Sequence, residues 1–193
     1  PRLGTYDGQN QKGAYGLLDA FINRRDEATG TWTTIEARNL GLETRELRAD
    51  WARQGNMSAF FEYGRTPRDE PYTVFTAVQG IGTATQRVPA TQPVTLGEVH
   101  LGTVRDAVAL GFSKIIGGGY DFRLSFKNED KTGDRIWGRG GAAEFAAEPI
   151  DSNTKQLEAV LAYTSKAFQV QGGYYGSYYS NSIKLVDTAT TAA

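Results

Sequence analysis

The chain contains no cysteine and a single histidine, His100. Without thiols there is no disulfide, no thiolate metal site and no attachment point for a covalent c-type haem on this chain. One histidine without clustered carboxylates makes a poor metal or haem ligand. The usual nucleophile–base pairs shrink to an unplaced serine with His100. Neither sign of charge is in excess: 21 Lys and Arg stand against 22 Asp and Glu, with a pI near 5.9. There is therefore no basic field for nucleic acid. Long hydrophobic runs are missing as well. No stretch approaches ~18 consecutive apolar residues, and the mean hydropathy is -0.45, which excludes a helical membrane protein. A β-barrel is not excluded, because every second barrel residue faces a polar lumen. Pro1 opens no charged n-region and no apolar h-region follows; if the protein is exported, the start of its precursor is expected to lie outside this sequence.

What is present is alternation. Leu47, Ala49 and Trp51 interleave with Glu46, Arg48 and Asp50, and the rhythm returns in Tyr120-Asp121-Phe122-Arg123-Leu124-Ser125-Phe126-Lys127. Successive side chains on a strand point to opposite faces, so each such strand has one apolar and one charged face. Strands of soluble sandwiches are usually about 5–6 residues. These runs reach roughly 9–12, the length of a tilted strand that crosses a bilayer. The 23 glycines exceed the roughly 14 that average usage would supply, and with 10 Tyr, 9 Phe and 3 Trp they suit a turn-rich sheet with interfacial rings. The expected fold class is all-β, an antiparallel transmembrane β-barrel.

The pattern predicts strands over 14–25, 31–40, 45–54, 57–65, 99–113, 120–130, 154–163 and 167–179, about eight in four hairpins, forming a single barrel segment over the whole chain. Gly55-Asn56 is the signal for a tight hairpin. Residues 1–12 read as a polar leader or loop, and 180–193 as a low-complexity tail. Pro67, Pro71 and Pro89, with Pro93 at the edge, argue against a central strand in 66–93. That segment and 135–149 are expected to be long loops, which outer-membrane barrels carry at one end. Lys131-Thr132-Gly133-Asp134 reads as a turn.

The motifs with chemical potential are weak. Asn128 to Asp134 loosely echoes a calcium loop, but the twelfth position holds Arg139 where a bidentate Glu is required. Gly80-Ile81-Gly82 lacks the strand-and-helix context of a nucleotide site, and Gly117-Gly118-Gly119 is turn punctuation. Glu46 and Asp50 flank Arg48 on one strand face, the spacing of an ion-pair ladder. Trp32, Trp51, Tyr63, Tyr163, Tyr174 and Tyr178 fall towards strand ends and are expected to be girdle rings. No catalytic, cofactor-binding or metal-binding set emerges, so the chain reads as a non-enzyme.

Several segments are similar to one family in particular. Asn39 to Arg48, Glu70-Pro71-Tyr72-Thr73-Val74 with Gly80-Ile81-Gly82, Phe126 to Asp134, and Gly172-Gly173-Tyr174-Tyr175-Gly176-Ser177-Tyr178-Tyr179 occur in an order that resembles the MtrB/PioB family of decahaem-associated outer-membrane barrels. The resemblance spans most of residues 13–182. It implies a bacterial outer-membrane barrel of more than about twenty strands, of which this chain would be an N-terminal third or quarter. It also implies a partner, a multihaem c-type cytochrome in the lumen, with the haem c belonging to that partner and none to this chain. The assembly would be a conduit for extracellular electron transfer. Some family members carry a Cys pair near the mature N-terminus; none exists here, so no role for such a pair transfers.

A barrel answers a physical need in such an assembly. Electrons do not cross ~30 Å of hydrocarbon unaided, and a cytochrome's polar surface is not solvated by lipid. On this reading Glu36, Arg38, Glu46, Arg48, Asp50, Glu62, Arg123, Lys127 and Glu158 form the lumen wall. Leu47, Ala49, Trp51, Tyr63, Phe122, Leu124, Phe126, Leu157, Leu161 and Tyr163 face lipid or form the girdle. The first and last strands are expected not to pair. The alternatives are a self-contained small porin or adhesin barrel, in which those strands would pair, and a secreted β-sandwich, which would need a dry core between two sheets.

Overall fold

The computed structural model describes residues 5–6, 9, 12–90, 94–138 and 145–190, and among them there is no helix. The strands are β1 (Leu18–Asp26), β2 (Thr31–Leu40), β3 (Glu46–Arg53), β4 (Met57–Asp69), β5 (Val74–Thr76), β6 (Thr85–Val88), β7 (Gly97–Val99), β8 (Gly102–Gly117), β9 (Tyr120–Trp137), β10 (Ala146–Thr164), β11 (Gln169–Asn181) and β12 (Asp187–Thr190). Eight of them form one sheet in the order β1-β2-β3-β4-β8-β9-β10-β11. All its neighbours are antiparallel. Among the described residues β1 and β11 lie at the two ends of this sheet and share no ladder, so it is open.

The connections at one end are tight for local reasons. At the β1–β2 turn the Asp26 carboxylate accepts hydrogen bonds from the backbone N–H of Ala28 and of Thr29. At β8–β9, Gly117, Gly118 and Gly119 all take positive φ (97°, 62° and 91°), a run that side-chain-bearing residues would resist. Gly55-Asn56 closes β3–β4, with the Asn56 N–H donating to the Arg53 carbonyl. The other end carries the long 70–101 connection between β4 and β8.

Three sequence expectations are corrected. Lys131-Thr132-Gly133-Asp134 is not a turn but the interior of β9, paired with Gly102–Arg105 on one side and Pro149–Ser152 on the other. Two flanking ladders outweigh the local turn preference, and Gly133 absorbs the irregularity at φ 126°, where an added Cβ would overlap the Gly102 carbonyl. The 66–93 segment is not free of strand. β4 continues through Pro67, which is tolerated because its pairing with β3 ends at Gly64 and only β8 lies alongside. The 135–149 segment is likewise partly strand: β9 reaches Trp137 and β10 begins at Ala146, including Pro149, whose far side has no β11 partner because that ladder ends at Ser152. The rest of that expected loop, 139–144, lies outside the described residues, as does Arg139. Strand limits shift elsewhere too: the first begins at Leu18, and the stretch from 99 divides into β7 and β8.

Full burial is concentrated where the 70–101 connection meets the sheet. Thr76, Ala77, Val78, Gln86, Val88, Leu101, Ala146 and Ala147 are buried there. β6 pairs in parallel with β12, and β5 pairs with β7. By contrast, large apolar side chains of the eight-stranded sheet stay open, including Leu110, Phe112, Leu124 and Leu161. No second sheet of comparable size covers them among the described residues, so the dry core required by a sandwich is not present.

Gln86 holds the insertion in place. Its side-chain Nε2 donates to the Ala147 carbonyl and its Oε1 accepts from the Ala147 N–H. The amide thus imitates a neighbouring strand on the stretch of β10 that β11 does not reach. Gln86→Ala would leave both Ala147 groups unpaired in a buried place, a cost of about 1–3 kcal/mol. The expected outcome is faster limited proteolysis within 70–101, with the far-ultraviolet circular dichroism of the sheet unchanged.

Candidate functional site: the charged face of the sheet

Antiparallel partners directly opposite one another project from the same face, so the register sorts every side chain. One row runs Glu36, Arg48, Glu62, Ala109, Lys127, Gln156, Ser177 across β2, β3, β4, β8, β9, β10 and β11. A flanking row runs Arg38, Glu46, Gly64, Ala107, Glu129, Thr154, Tyr179, and the other Thr34, Asp50, Phe60, Gly111, Ser125, Glu158, Tyr175. Arg123 lies one row further, beside Ser113 and Val160. The register therefore brings Glu36, Arg38, Glu46, Arg48, Asp50, Glu62, Arg123, Lys127 and Glu158 onto one face of one sheet.

The opposite face collects the apolar set. Leu47 is opposite Tyr63, and Ala49 is opposite Phe61, in a row that continues to Leu110, Phe126 and Leu157. The next rows hold Trp51 with Leu124, then Phe122 with Leu161, then Tyr120 with Tyr163. The Tyr120 and Tyr163 ring centroids are 4.7 Å apart, and Phe168 lies 5.7 Å from Tyr163. Tyr174 and Tyr178 share this face, opposite Ala159 and Lys155. Trp32 does not. It stands opposite Ala52 on the charged face, where the Arg25 guanidinium lies 4.7 Å from its ring. Its position near a strand end resembled that of a girdle ring, but parity put it on the other side.

The charged face is internally compensated. Arg48 bonds Asp50 at 2.7 Å on its own strand and Glu62 across the ladder. Arg38 donates to Glu36 at 2.7 Å, Lys127 lies 3.2 Å from Glu129, Arg123 3.1 Å from Asp121, and Arg135 2.6 Å from Glu148. The Arg48 side chain is 51% exposed, so such pairs are screened and contribute at most about 1 kcal/mol each. Their effect is to fix side-chain direction.

Sequence reasoning missed the relief of this face. Along β8 its members are Ala107, Ala109, Gly111 and Ser113, alternating with Val108, Leu110 and Phe112 on the other side. Ala107 and Ala109, with Gly64, make a low floor between Arg48 and Glu62 on one side and Lys127 on the other. The concavity has a volume of about 550 Å³. The signal was present as alternation in size rather than in polarity. Glu129, Asp121 and Arg105 also belong to this face and were not singled out. His100 is exposed, with Nε2 3.2 Å from Glu98. No cluster of three metal-ligating side chains occurs among the described residues.

Residues 2–193 match the model of the family described as outer membrane beta-barrel porin, MtrB/PioB. A curated relative, the outer membrane protein MtrB of Shewanella baltica (strain OS185), is 24% identical over 180 residues, covering 86% of this chain and 26% of the relative. The chain thus spans about a quarter of the length of that relative.

Phe60 stands among the charged rows and lies across Gly111, where a Cβ would overlap its ring. Arg48 sits 5.8 Å from the same ring. Gly111→Ala is expected to displace Phe60 and cost about 1–3 kcal/mol. Adding Phe60→Ala should return part of that loss, a coupling readable in a double-mutant cycle of urea unfolding.

Proposed function

Because the chain belongs to the MtrB/PioB family of outer-membrane β-barrel porins, we propose that it forms one sector of a larger barrel that sheathes a multihaem c-type cytochrome. The observation that carries this reading is the charged face, which runs across β2, β3, β4, β8, β9 and β10, is bordered by polar residues of β11 and holds a shallow trough over β8. In the proposed assembly that face is the lumen wall and the apolar face meets lipid. The haems, carried by the partner, supply the electron path. This chain supplies no haem ligand; it lacks Cys altogether, and its role is to separate a polar cylinder from hydrocarbon.

Two further observations support a sector rather than a closed small barrel. β1 and β11 each have one neighbour in the sheet, and an unpaired edge calls for a partner strand. An eight-stranded closed barrel would fill its interior with side chains, whereas here the β8 row is lowered to Ala and Gly. The wall is suited to docking by many modest polar contacts.

The two faces differ in what they tolerate. Leu124→Arg puts a charge on the lipid-facing side and is expected to cost about 2–4 kcal/mol near mid-bilayer. Ser125→Arg, one residue along on the charged face, should cost less than about 1 kcal/mol. Urea unfolding of the refolded full-length barrel in vesicles would measure both, and equal costs would contradict the assignment.

The function is tested in liposomes containing an enclosed electron acceptor. Full-length barrel plus its cytochrome should pass electrons inward from an external donor, and neither component alone should do so. A barrel that leaks small solutes, with no cytochrome associated in the native membrane, would instead be a porin.

A further inference from the structure

The apolar face is bounded at the short-turn end by basic residues that form no ion pair among the described residues. By register, Arg24 of β1 shares the face and row of Trp51, while Arg53 of β3 and Lys114 of β8 stand one row nearer the turns. Further round, on β9 and β10, the same boundary is taken by Tyr120 and Tyr163, another row nearer the turns. The boundary therefore descends from β1 to β10, as a plane does when it cuts tilted strands. Along β8 the apolar run lies between Asp106 and Lys114, about 27 Å along the strand at 3.4 Å per residue, close to the height of a barrel's apolar band once tilt is allowed for.

Most other basic residues of the sheet are paired; Lys131 on the charged face and Lys155 near the far boundary of the apolar face share with these three the lack of an ion pair among the described residues. Arg38, Arg48, Lys127, Arg123 and Arg135 on the charged face each have a carboxylate. On the apolar side, Arg65 at the opposite boundary is held by Glu43 and Asp106. Arg24 and Arg53 are exposed and form no ion pair among the described residues. Lys114 Nζ donates to the neutral side chain of Asn56. The nearest acid of this collar, Asp26, is engaged by the N–H groups of its own turn. The result is a band of net positive charge beside an interfacial Trp, at the height where lipid headgroups lie.

We propose that Arg24, Arg53 and Lys114 form a collar that binds the phosphate groups of anionic membrane lipids. The charge missing from the protein at these positions is supplied by the bilayer. Each basic side chain near an anionic surface contributes about 1 kcal/mol, and a guanidinium can grip a phosphate with two parallel N–H donors. The inference rests on the outer-membrane location and does not depend on what occupies the lumen.

The test uses the full-length protein refolded into vesicles of phosphatidylcholine with phosphatidylglycerol, then exchanged into detergent, with retained lipid quantified by mass spectrometry. The wild type should retain phosphatidylglycerol over phosphatidylcholine. The R24Q/R53Q/K114Q variant should lose that preference roughly tenfold or more, and R24K/R53K/K114R should keep it. Heat-modifiable migration confirms folding. If the triple Gln variant fails to insert, Arg53→Gln alone carries the test, with a loss of severalfold expected. No preference in the wild type, or equal preference in the wild type and the folded Gln variant, overturns the proposal.

Discussion

Every peptide unit in hydrocarbon needs a hydrogen-bond partner within the protein, because no water is there to serve and each unmet group costs several kcal/mol. The eight-stranded sheet meets this through antiparallel ladders, shifted in register only between Leu18 and Ala20 and between Ile115 and Gly117, the longest being β9 with β10 from Tyr120–Tyr163 to Trp137–Ala146. Once the ladder is fixed, so is the sorting of side chains. A slip of one residue would turn Arg123 and Lys127 towards the face of Leu124 and Phe126. Backbone pairing fixes the register, and with the apolar face towards lipid as proposed, the cost of charge there selects the same alignment.

The same constraint explains where irregularity is allowed. Pro67 and Pro149 lie in long strands of the sheet, but each sits where one neighbour has already ended. Gly133 disturbs β9 near its far end, in the row of Thr103 and Ile150, away from the rows of Leu110, Phe112 and Leu124. The 70–101 insertion, with its own polar loops, leaves and re-enters at the end of the sheet, where Gln86 can serve as a substitute edge strand for Ala147. The prolines, Gly133 and the insertion thus lie outside the rows of Leu110, Phe112 and Leu124.

Much of the sheet was legible because period two is a local signal: Glu46 to Asp50 and Tyr120 to Lys127 declare both strand and face without any knowledge of partners. What was not legible depended on partners. Lys131 to Asp134 has the composition of a turn and becomes strand only because β8 and β10 flank it on both sides. Trp32 sits near a strand end like a girdle ring, yet its parity places it with Arg25 on the charged face. The trough over β8 escaped notice because hydrophobic patterning does not distinguish a small apolar residue facing a polar side from one facing lipid; Ala107 and Ala109 were read for polarity when their size was the message.

The two faces handle charge in different ways, and the difference follows from what each can reach. On the charged face acids and bases alternate within a side-chain length, so Arg48 finds Asp50 and Glu62 and the wall becomes nearly neutral. A wall of this kind exerts little long-range attraction, and affinity for an occupant must come from shape and short-range polar contacts. On the apolar face the acid beside these bases, Asp26, is engaged by the N–H groups of its own turn, and further carboxylates would have to sit among Trp51, Phe112 and Leu124. In the proposed collar, bases at that margin extend instead towards the phosphates of the headgroup layer. Neutrality is thus achieved internally on the charged face, while on the proposed collar the surrounding lipid supplies it. On the proposed reading the sheet holds a polar occupant and an anionic bilayer at once without either competing for the other's contacts.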